Sequence, residues 1–152
     1  MKKIIAIFLL IFLIGCGKIF SKNSENIFID NGKNWIGLNV EIADDNEERS
    51  NGLMFRENLK ENEGMIFIFD DEDAVSFWMK NTLIPLDMIF VNKNLEIVDI
   101  KTAVPCKKDP CTLYSPSEPA IYVVEVNAGF AEKNSINVGD KLIPNNKYIN
   151  KP

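Results

Sequence analysis

Histidine is absent from the 152 residues of this chain. Without an imidazole, no Ser-His-Asp or Cys-His catalytic arrangement can form, and neither can a metal centre with histidine ligands. An enzyme built on this sequence would depend on Asp, Glu, Lys, Tyr, Ser or Thr. The sequence therefore predicts no catalytic residue, no metal and no other cofactor.

Runs of basic residues and internal repeats are also missing. The chain has 17 Lys and Arg against 22 Asp and Glu, which gives a net charge of −5. Such an acidic chain lacks the positive surface that binds phosphate backbones, so nucleic acid is excluded as an expected partner. The length fits one domain of ordinary size.

Only one long apolar run is present, and it lies at the N-terminus. Residues 4 to 14 are apolar and follow Lys2 and Lys3. The run is too short to cross a bilayer permanently and is typical of an export signal. It ends in the sequence Leu-Ile-Gly-Cys at residues 13 to 16, which resembles the lipobox of bacterial lipoproteins, where signal peptidase cuts before the cysteine. The alternatives are an uncleaved anchor or a buried thiol.

We therefore expect residues 1–15 to be a lipoprotein signal peptide and Cys16 to carry the lipid. The predicted location is the cell membrane or outer membrane, with the domain facing the periplasm or the exterior. Residues 16–30 are polar, with scattered apolar positions, and are predicted to be a tether. Residues 146–152 are predicted to be a frayed tail.

Cysteine is scarce, and two of the three residues remain once Cys16 is lipidated. Cys106 and Cys111 lie in the sequence PCKKDPC. In an exported protein a disulfide is the default for such a pair. The alternative is a zinc site, which would need two carboxylates from elsewhere because histidine is absent.

The remaining sequence is dominated by short strand patterns. Apolar residues alternate with other residues from Ile36 to Ile42, and short apolar runs occupy residues 65–69 and 121–126. Asp44 or Asp45 is suited to cap a short helix that stops at Gly52. The acidic residues 70–73 are expected to form a solvated loop rather than a calcium site. We predict a mainly β domain over residues 31–145, with one or two short helices (α+β), as a compact antiparallel β sandwich or small barrel.

Residues 77 to 87, FWMKNTLIPLD, place two aromatic residues, a lysine, an asparagine, a threonine, a proline and an aspartate in one short stretch. Asp87 begins a strand that is otherwise apolar on both faces, so its carboxylate needs partners. In one interpretation Asn81, Thr82 and their backbone amides bind Asp87 and fix the turn. In the other, Trp78, Lys80 and Asp87 line a cleft, where the indole stacks on a ligand and the charged pair orients it.

Glu125 is the second unusual acid, because it lies inside the apolar sequence IYVVEV. Burial would raise its pKa and would suit acid catalysis. It could instead face solvent, or pair with Arg56 or Lys80. Tyr114 belongs to the proline-rich segment 104–119, which is expected to form an ordered loop at the rim of a site. The ligand-binding candidates are therefore Trp78, Lys80, Asn81, Thr82, Asp87, Tyr114 and Glu125.

Four sequence blocks together resemble the domain of unknown function 192 family. The blocks, in order, are NGLMFR at 51–56, EGMIFIF at 63–69, FWMKNTLIPLDMIFV at 77–91 and YVVEVNAGFAEK at 122–133. The resemblance implies a compact β-rich domain that is frequently exported, and it brings no agreed activity. Residues 77–87 belong to the family's most characteristic block.

Three functions fit these features. The first is a membrane-anchored, extracytoplasmic binding or interaction module whose partner is a small molecule or an envelope protein. The second is an envelope assembly or structural factor. The third is a hydrolase in which Asp87 or Glu125 acts as acid or base and Lys80 stabilises charge. A glycoside hydrolase would need the two carboxylates about 5 to 10 Å apart across one groove.

Overall fold

A computed structural model describes residues 24–145 of the chain. These residues form nine strands and two short helices, most of them close to the predicted positions. The elements are β1 Ser24–Asp30, β2 Trp35–Ala43, α1 Asn46–Asn51, β3 Glu63–Asp73, β4 Phe77–Trp78, β5 Leu86–Val91, β6 Ile97–Ala103, β7 Leu113–Tyr114, β8 Ala120–Asn127, α2 Phe130–Lys133 and β9 Lys141–Ile143.

Seven strands form one curled sheet in the order β6-β5-β8-β3-β2-β1-β9, while β4 and β7 form a separate two-stranded ribbon. The β2–β3 pair is parallel and the other pairs are antiparallel. The two edges of the large sheet meet at one end, where the Leu142 amide donates to the Leu95 carbonyl at 2.8 Å and the Ile97 amide donates to the Asp140 carbonyl at 2.9 Å. The resulting half-barrel confirms the predicted β-rich fold.

The central strands are buried on both faces, and each face has its own apolar core. Because neighbouring side chains on a strand point to opposite sides, Ile89 and Val124 belong to one core, together with Phe130 of α2. Met88 and Val123, one position away, belong to the other core. This second core lies beneath α1 and the β4–β7 ribbon, where the candidate site is found.

Helix α1 has the predicted ends. The Asp45 carboxylate accepts a hydrogen bond from the Glu48 amide at 2.8 Å, which satisfies one free N–H of the first turn. Gly52 closes the helix with φ 47° and donates its amide to the Glu48 carbonyl. The helix is thus held in place beside the end of β2.

Two predicted boundaries need correction. Residues 24–30 of the expected tether form β1, because Ile27 and Ile29 alternate with polar neighbours and are buried at 1% and 0% exposure. The acidic residues 70–73 continue β3 across an irregular register rather than forming a loop. Helices long and apolar enough to span a membrane do not occur within residues 24–145. The signal peptide, Cys16, the rest of the tether and the 146–152 tail lie outside the described residues.

Cys106 and Cys111 form a disulfide within the loop that joins β6 to β7. Their sulfur atoms are bonded to each other and are therefore not the thiolates that a zinc site requires. Asp109 lies close to the two sulfurs, but it supplies only a single oxygen ligand. The structure thus contains the disulfide that the sequence predicts.

Candidate functional site

Residues 77–82 connect three separate parts of the chain. Phe77 pairs with Tyr114 in the β4–β7 ribbon. The Met79 carbonyl then accepts hydrogen bonds from the amides of Thr82 and Cys106, at 3.3 and 3.2 Å. Asn81 adopts a left-handed conformation with φ 57°, which turns the chain. This segment therefore fixes the ribbon against the disulfide loop.

The same turn also binds the segment that follows α1. The carbonyl of Asn81 accepts a hydrogen bond from the amide of Phe55 at 2.8 Å. Phe55 belongs to the NGLMFR block, so two of the blocks that carry the family resemblance are joined through backbone atoms. The helix and the ribbon are thereby held as two fixed walls.

A groove of about 450 Å³ lies between those walls. Arg49 and Ser50 of α1 form one side, and Phe77 and Trp78 of β4 form the other, with Phe67 of β3 as the floor. Trp78 is 49% exposed, so its indole is open to a ligand. The groove has a mixed lining of aromatic rings and polar groups, which is typical of small-molecule sites.

The groove narrows into a chamber of about 40 Å³. The chamber shares the five residues named above with the groove, and it adds Thr82 and Glu125. Both of these polar residues are buried, at 8% and 5% exposure. The groove therefore leads from open solvent to a buried carboxyl group.

Glu125 lies on β8 between Met65 of β3 and Met88 of β5. The thioether side chains of these two methionines have no donor, and within residues 24–145 no group hydrogen-bonds to the Glu125 carboxyl. Within the described residues, every side-chain nitrogen or oxygen atom that is fully sealed from solvent has a hydrogen-bond partner. Because the Glu125 carboxyl has no such partner, its oxygen atoms must be accessible from the chamber. Burial raises the pKa of Glu125 to about 8, which keeps the group largely protonated at neutral pH.

Arg49 is the cation on the opposite wall, and its guanidinium is already bonded elsewhere. It donates to the carbonyls of Ile68 and Asp44, at 2.7 and 2.8 Å, and to the side-chain oxygen of Asn46 at 2.7 Å. It also lies over the ring of Phe69, 5.5 Å from the centroid. These contacts hold the positive charge at the mouth of the groove, so it does not neutralise Glu125.

Asp87 lies on the other face of the sheet. Met88 pairs with Glu125, so Asp87, one residue earlier, points away from the chamber. Its carboxylate accepts hydrogen bonds from the Thr102 hydroxyl at 2.7 Å and from the Ala131 amide of α2 at 3.0 Å. Neither interpretation from the sequence placed it correctly: it does not bind Asn81 or Thr82, and it does not line the cleft with Trp78.

The other candidates lie at the rim or beyond it. The Lys80 ammonium is 5.6 Å from the centroid of the Trp78 ring and 3.4 Å from an oxygen of Asp109. The Asn81 amide contacts the Met54 sulfur at 3.8 Å. The Tyr114 hydroxyl accepts a hydrogen bond from the Val104 amide at 3.2 Å and faces a separate cavity of about 120 Å³ beside the disulfide loop.

The structure thus brings together three of the seven candidates, namely Trp78, Thr82 and Glu125. Arg49 and Ser50, on the helical wall, were missed, since a six-residue polar helix gives no sign of which side faces a groove. Glu125 pairs with neither Arg56 nor Lys80, because those cations bind Glu41 and Asp109.

The paired-carboxylate hydrolase is also excluded for the two predicted acids. Asp87 and Glu125 lie on opposite faces of the sheet, and Asp87 is absent from the described lining of the groove and chamber. They cannot act across one bound sugar.

Comparison with known proteins gives consistent matches. The model of the DUF192 family, described as "Uncharacterized ACR", matches residues 27–143. The UPF0127 protein PF1050 of Pyrococcus furiosus is 34% identical over 70% of this chain and 87% of its own length. A UPF0127 protein of Thermococcus sibiricus is 33% identical over 73% of this chain and 68% of its own length.

Two solved structures share the fold. A "putative transcription regulator" from Sinorhizobium meliloti aligns with TM-score 0.76 and 34% identity, over 82% of this chain and 95% of that one. A protein of unknown function from Novosphingobium aromaticivorans aligns with TM-score 0.76 and 33% identity, over 82% of this chain and 88% of that one.

Proposed function

The chain belongs to the DUF192 family, and from that premise we propose that it is a binding module that takes a small molecule into the groove between α1 and β4. The observation that carries the proposal is the buried, unbonded carboxyl of Glu125 at the inner end of an open groove. A carboxyl set among apolar side chains with no protein partner is costly, and a ligand that enters the chamber can supply the missing hydrogen bond or charge. This cost supports the proposal that the chamber binds a ligand.

The groove is preformed by contacts that do not depend on a ligand. Its walls are tied by the hydrogen bond from Phe55 to Asn81, and its floor is fixed by the edge-to-face stacking of Phe67 and Phe77 at 5.0 Å. A rigid site loses little conformational entropy when it binds, which favours affinity. The exposed face of Trp78 offers a stacking surface for the body of a ligand.

Binding is favoured over catalysis because the site has a single titrating group. Of the described residues that line the chamber, Arg49 and Glu125 carry ionisable side chains, and Arg49 is bonded to backbone carbonyls. A second acid or base is needed for most proton-transfer mechanisms. Nucleic acid is disfavoured as a partner by the acidic chain, so the words "putative transcription regulator" in the name of the Sinorhizobium relative do not support DNA binding here.

We further propose that the module works outside the cytoplasm, anchored by lipid on Cys16. The apolar segment 4–14 followed by Leu-Ile-Gly-Cys supports export and lipidation. The Cys106–Cys111 disulfide fits an oxidising compartment. The segment between Cys16 and β1 is short, so the groove would be held close to the membrane and would sample solutes there.

A blocking substitution tests the binding function. Ser50 is exposed on the helical wall, and Ser50→Tyr would place a ring in the groove. Ser117→Tyr makes the same change at an exposed position outside the groove and serves as the matched control. A panel of soluble metabolites would be screened by NMR, following the indole N–H of Trp78.

We expect a ligand that perturbs Trp78 in the wild type and in Ser117→Tyr but fails to bind Ser50→Tyr. Equal binding to all three proteins would place the ligand elsewhere and contradict the proposal. If no compound binds in the groove, and an envelope protein co-purifies with the wild type but not with a Trp78 variant, the chain would instead be an envelope assembly factor.

A further inference from the structure

We infer that the group inserted into the chamber is a primary ammonium, which forms an ion pair with Glu125 and displaces the proton of its carboxyl into solvent. This inference rests on the proposed function and names the chemical class of the ligand. The step is balanced: the ammonium keeps its three protons, the O–H bond of Glu125 breaks, and one proton passes to water.

The size of the chamber selects a small group. The chamber holds about 40 Å³, whereas the groove outside it holds about 450 Å³. One water-sized group needs roughly 10 to 15 Å³ on this measure, so the chamber takes about three such groups. An aminomethyl end fits this space, while a ring must remain in the outer groove beside Trp78.

The walls of the chamber favour a cation. Phe67, Phe77 and Trp78 present aromatic rings, whose faces attract ammonium groups when water is excluded. Glu125 provides the anion as soon as a positive charge compensates its burial. Thr82 adds a hydroxyl that can accept a hydrogen bond from the ammonium.

Among the described residues of the chamber lining, Arg49 is the charged group besides Glu125, and it would repel an ammonium. Its strand neighbours are Met65 on β3 and Met88 on β5, neither of which titrates. From α1 the facing charge is Arg49, which is bonded to Asp44, Asn46 and Ile68. From the remaining walls the described lining is neutral, namely Gly52, Leu53, Met54, Phe67, Phe77, Trp78 and Thr82.

Exposed acids on the elements that flank the groove attract cations at long range, whereas Arg49 in the groove lining acts in the opposite direction. The first turn of α1 carries Glu47 and Glu48, and β3 continues from Phe69 into Asp70 and Asp71. Acidic groups on both elements raise the local concentration of cations and speed their association. The net charge of −5 acts in the same direction.

The pH dependence of binding distinguishes an ammonium from a neutral ligand. Glu125 is protonated below pH 8 in the free protein, so an ammonium must expel that proton. The affinity of an ammonium ligand should therefore increase about tenfold per pH unit up to pH 8 and stay constant above it. A neutral hydrogen-bond acceptor would bind the protonated carboxyl, so its affinity would be flat below pH 8 and fall above it.

Benzylamine and benzyl alcohol are matched probes with the same ring and different polar ends. NMR titrations of the full chain, following Trp78, would give the dissociation constant of each probe at pH 6, 7 and 8. We expect benzylamine to bind about tenfold more tightly at pH 7 than at pH 6, with no such change for benzyl alcohol. Glu125→Gln should reduce benzylamine binding to the level of the alcohol and abolish its pH dependence.

The outcomes separate this inference from the proposed function. If both probes bind equally with a flat pH profile, and Ser50→Tyr blocks both, the groove is a ligand site but the ammonium inference is wrong. If Ser50→Tyr blocks neither probe, binding lies elsewhere and both proposals fail for these ligands. The wild-type pH profile does not depend on the folding of Glu125→Gln, so the inference can be contradicted without that variant.

Discussion

Replacing Glu125 with glutamine should stabilise the protein at neutral and alkaline pH. Glutamine has the shape of the protonated carboxyl but cannot ionise. The folded protein holds the pKa of Glu125 at about 8, against an ordinary value of 4.5. A raised pKa means that the folded state keeps its proton while the unfolded state loses it. The stability associated with Glu125 is therefore fully present below pH 4.5 and is lost as the pH rises to 8.

The magnitude follows from the size of the shift. One pH unit corresponds to about 1.4 kcal/mol of differential proton binding. At pH 7 the pH is about 2.5 units above the ordinary value, so Glu125 lowers the free energy of unfolding by roughly 3 kcal/mol relative to acid pH. Above pH 8 the loss of unfolding free energy stays constant at about 5 kcal/mol. Glutamine removes this dependence.

Urea denaturation of wild type and Glu125→Gln at half-unit steps from pH 4.5 to 8.5 would measure the effect. The difference in unfolding free energy should grow with pH across this range. Glu118→Gln, at an exposed position, is the matched control and should follow the wild type. Parallel curves for wild type and Glu125→Gln would refute the reasoning, since they would mean that Glu125 ionises equally in both states.

Two structural predictions concern the supports of the site. Asp87→Ala removes the partner of the Ala131 amide and should lower the free energy of unfolding, measured with urea, by about 3 kcal/mol. Lys80→Met breaks an exposed ion pair and should change the free energy of unfolding by less than about 1 kcal/mol. Similar effects of the two substitutions would contradict the assignment of Asp87 as a buried clamp. Gly64→Ala should destabilise by at least about 2 kcal/mol and disturb the Trp78 resonance, because an added Cβ would lie 2.4 Å from the backbone oxygen of Glu125. A Gly64→Ala variant with wild-type stability would show that β3 and β8 are less tightly packed than described.

Much of the sheet could be predicted because its signals are local. Alternation from Ile36 to Ile42 and the apolar sequence around Glu125 identify strands β2 and β8, and the Asp45 and Gly52 ends identify α1. Strand β1 was missed because its two buried isoleucines lie in a short polar context that resembles a tether. Local patterns cannot show that such a strand is paired on both sides.

The sequence could not show that Asp87 and Glu125 lie on opposite faces of the sheet. Asp87 and Glu125 both lie in apolar strands, and their separation depends on the β5–β8 register, which pairs Met88 with Glu125. The partner of Asp87, Ala131, is 44 residues away in the chain. Arg49 reaches the groove because its side chain extends from α1 to the Ile68 carbonyl of β3. The sequence placed Glu125 in an apolar strand but left its burial open, and it gave no sign of the walls around it.

The most direct test of the account is a ¹³C NMR titration of the Glu125 carboxyl, assigned by comparison with Glu125→Gln. The account predicts a midpoint near pH 8 in the free protein, and a lower midpoint when benzylamine saturates the groove. A midpoint near the ordinary value of 4.5, unchanged by benzylamine, would contradict the claim that this carboxyl waits, protonated and unpartnered, for a ligand.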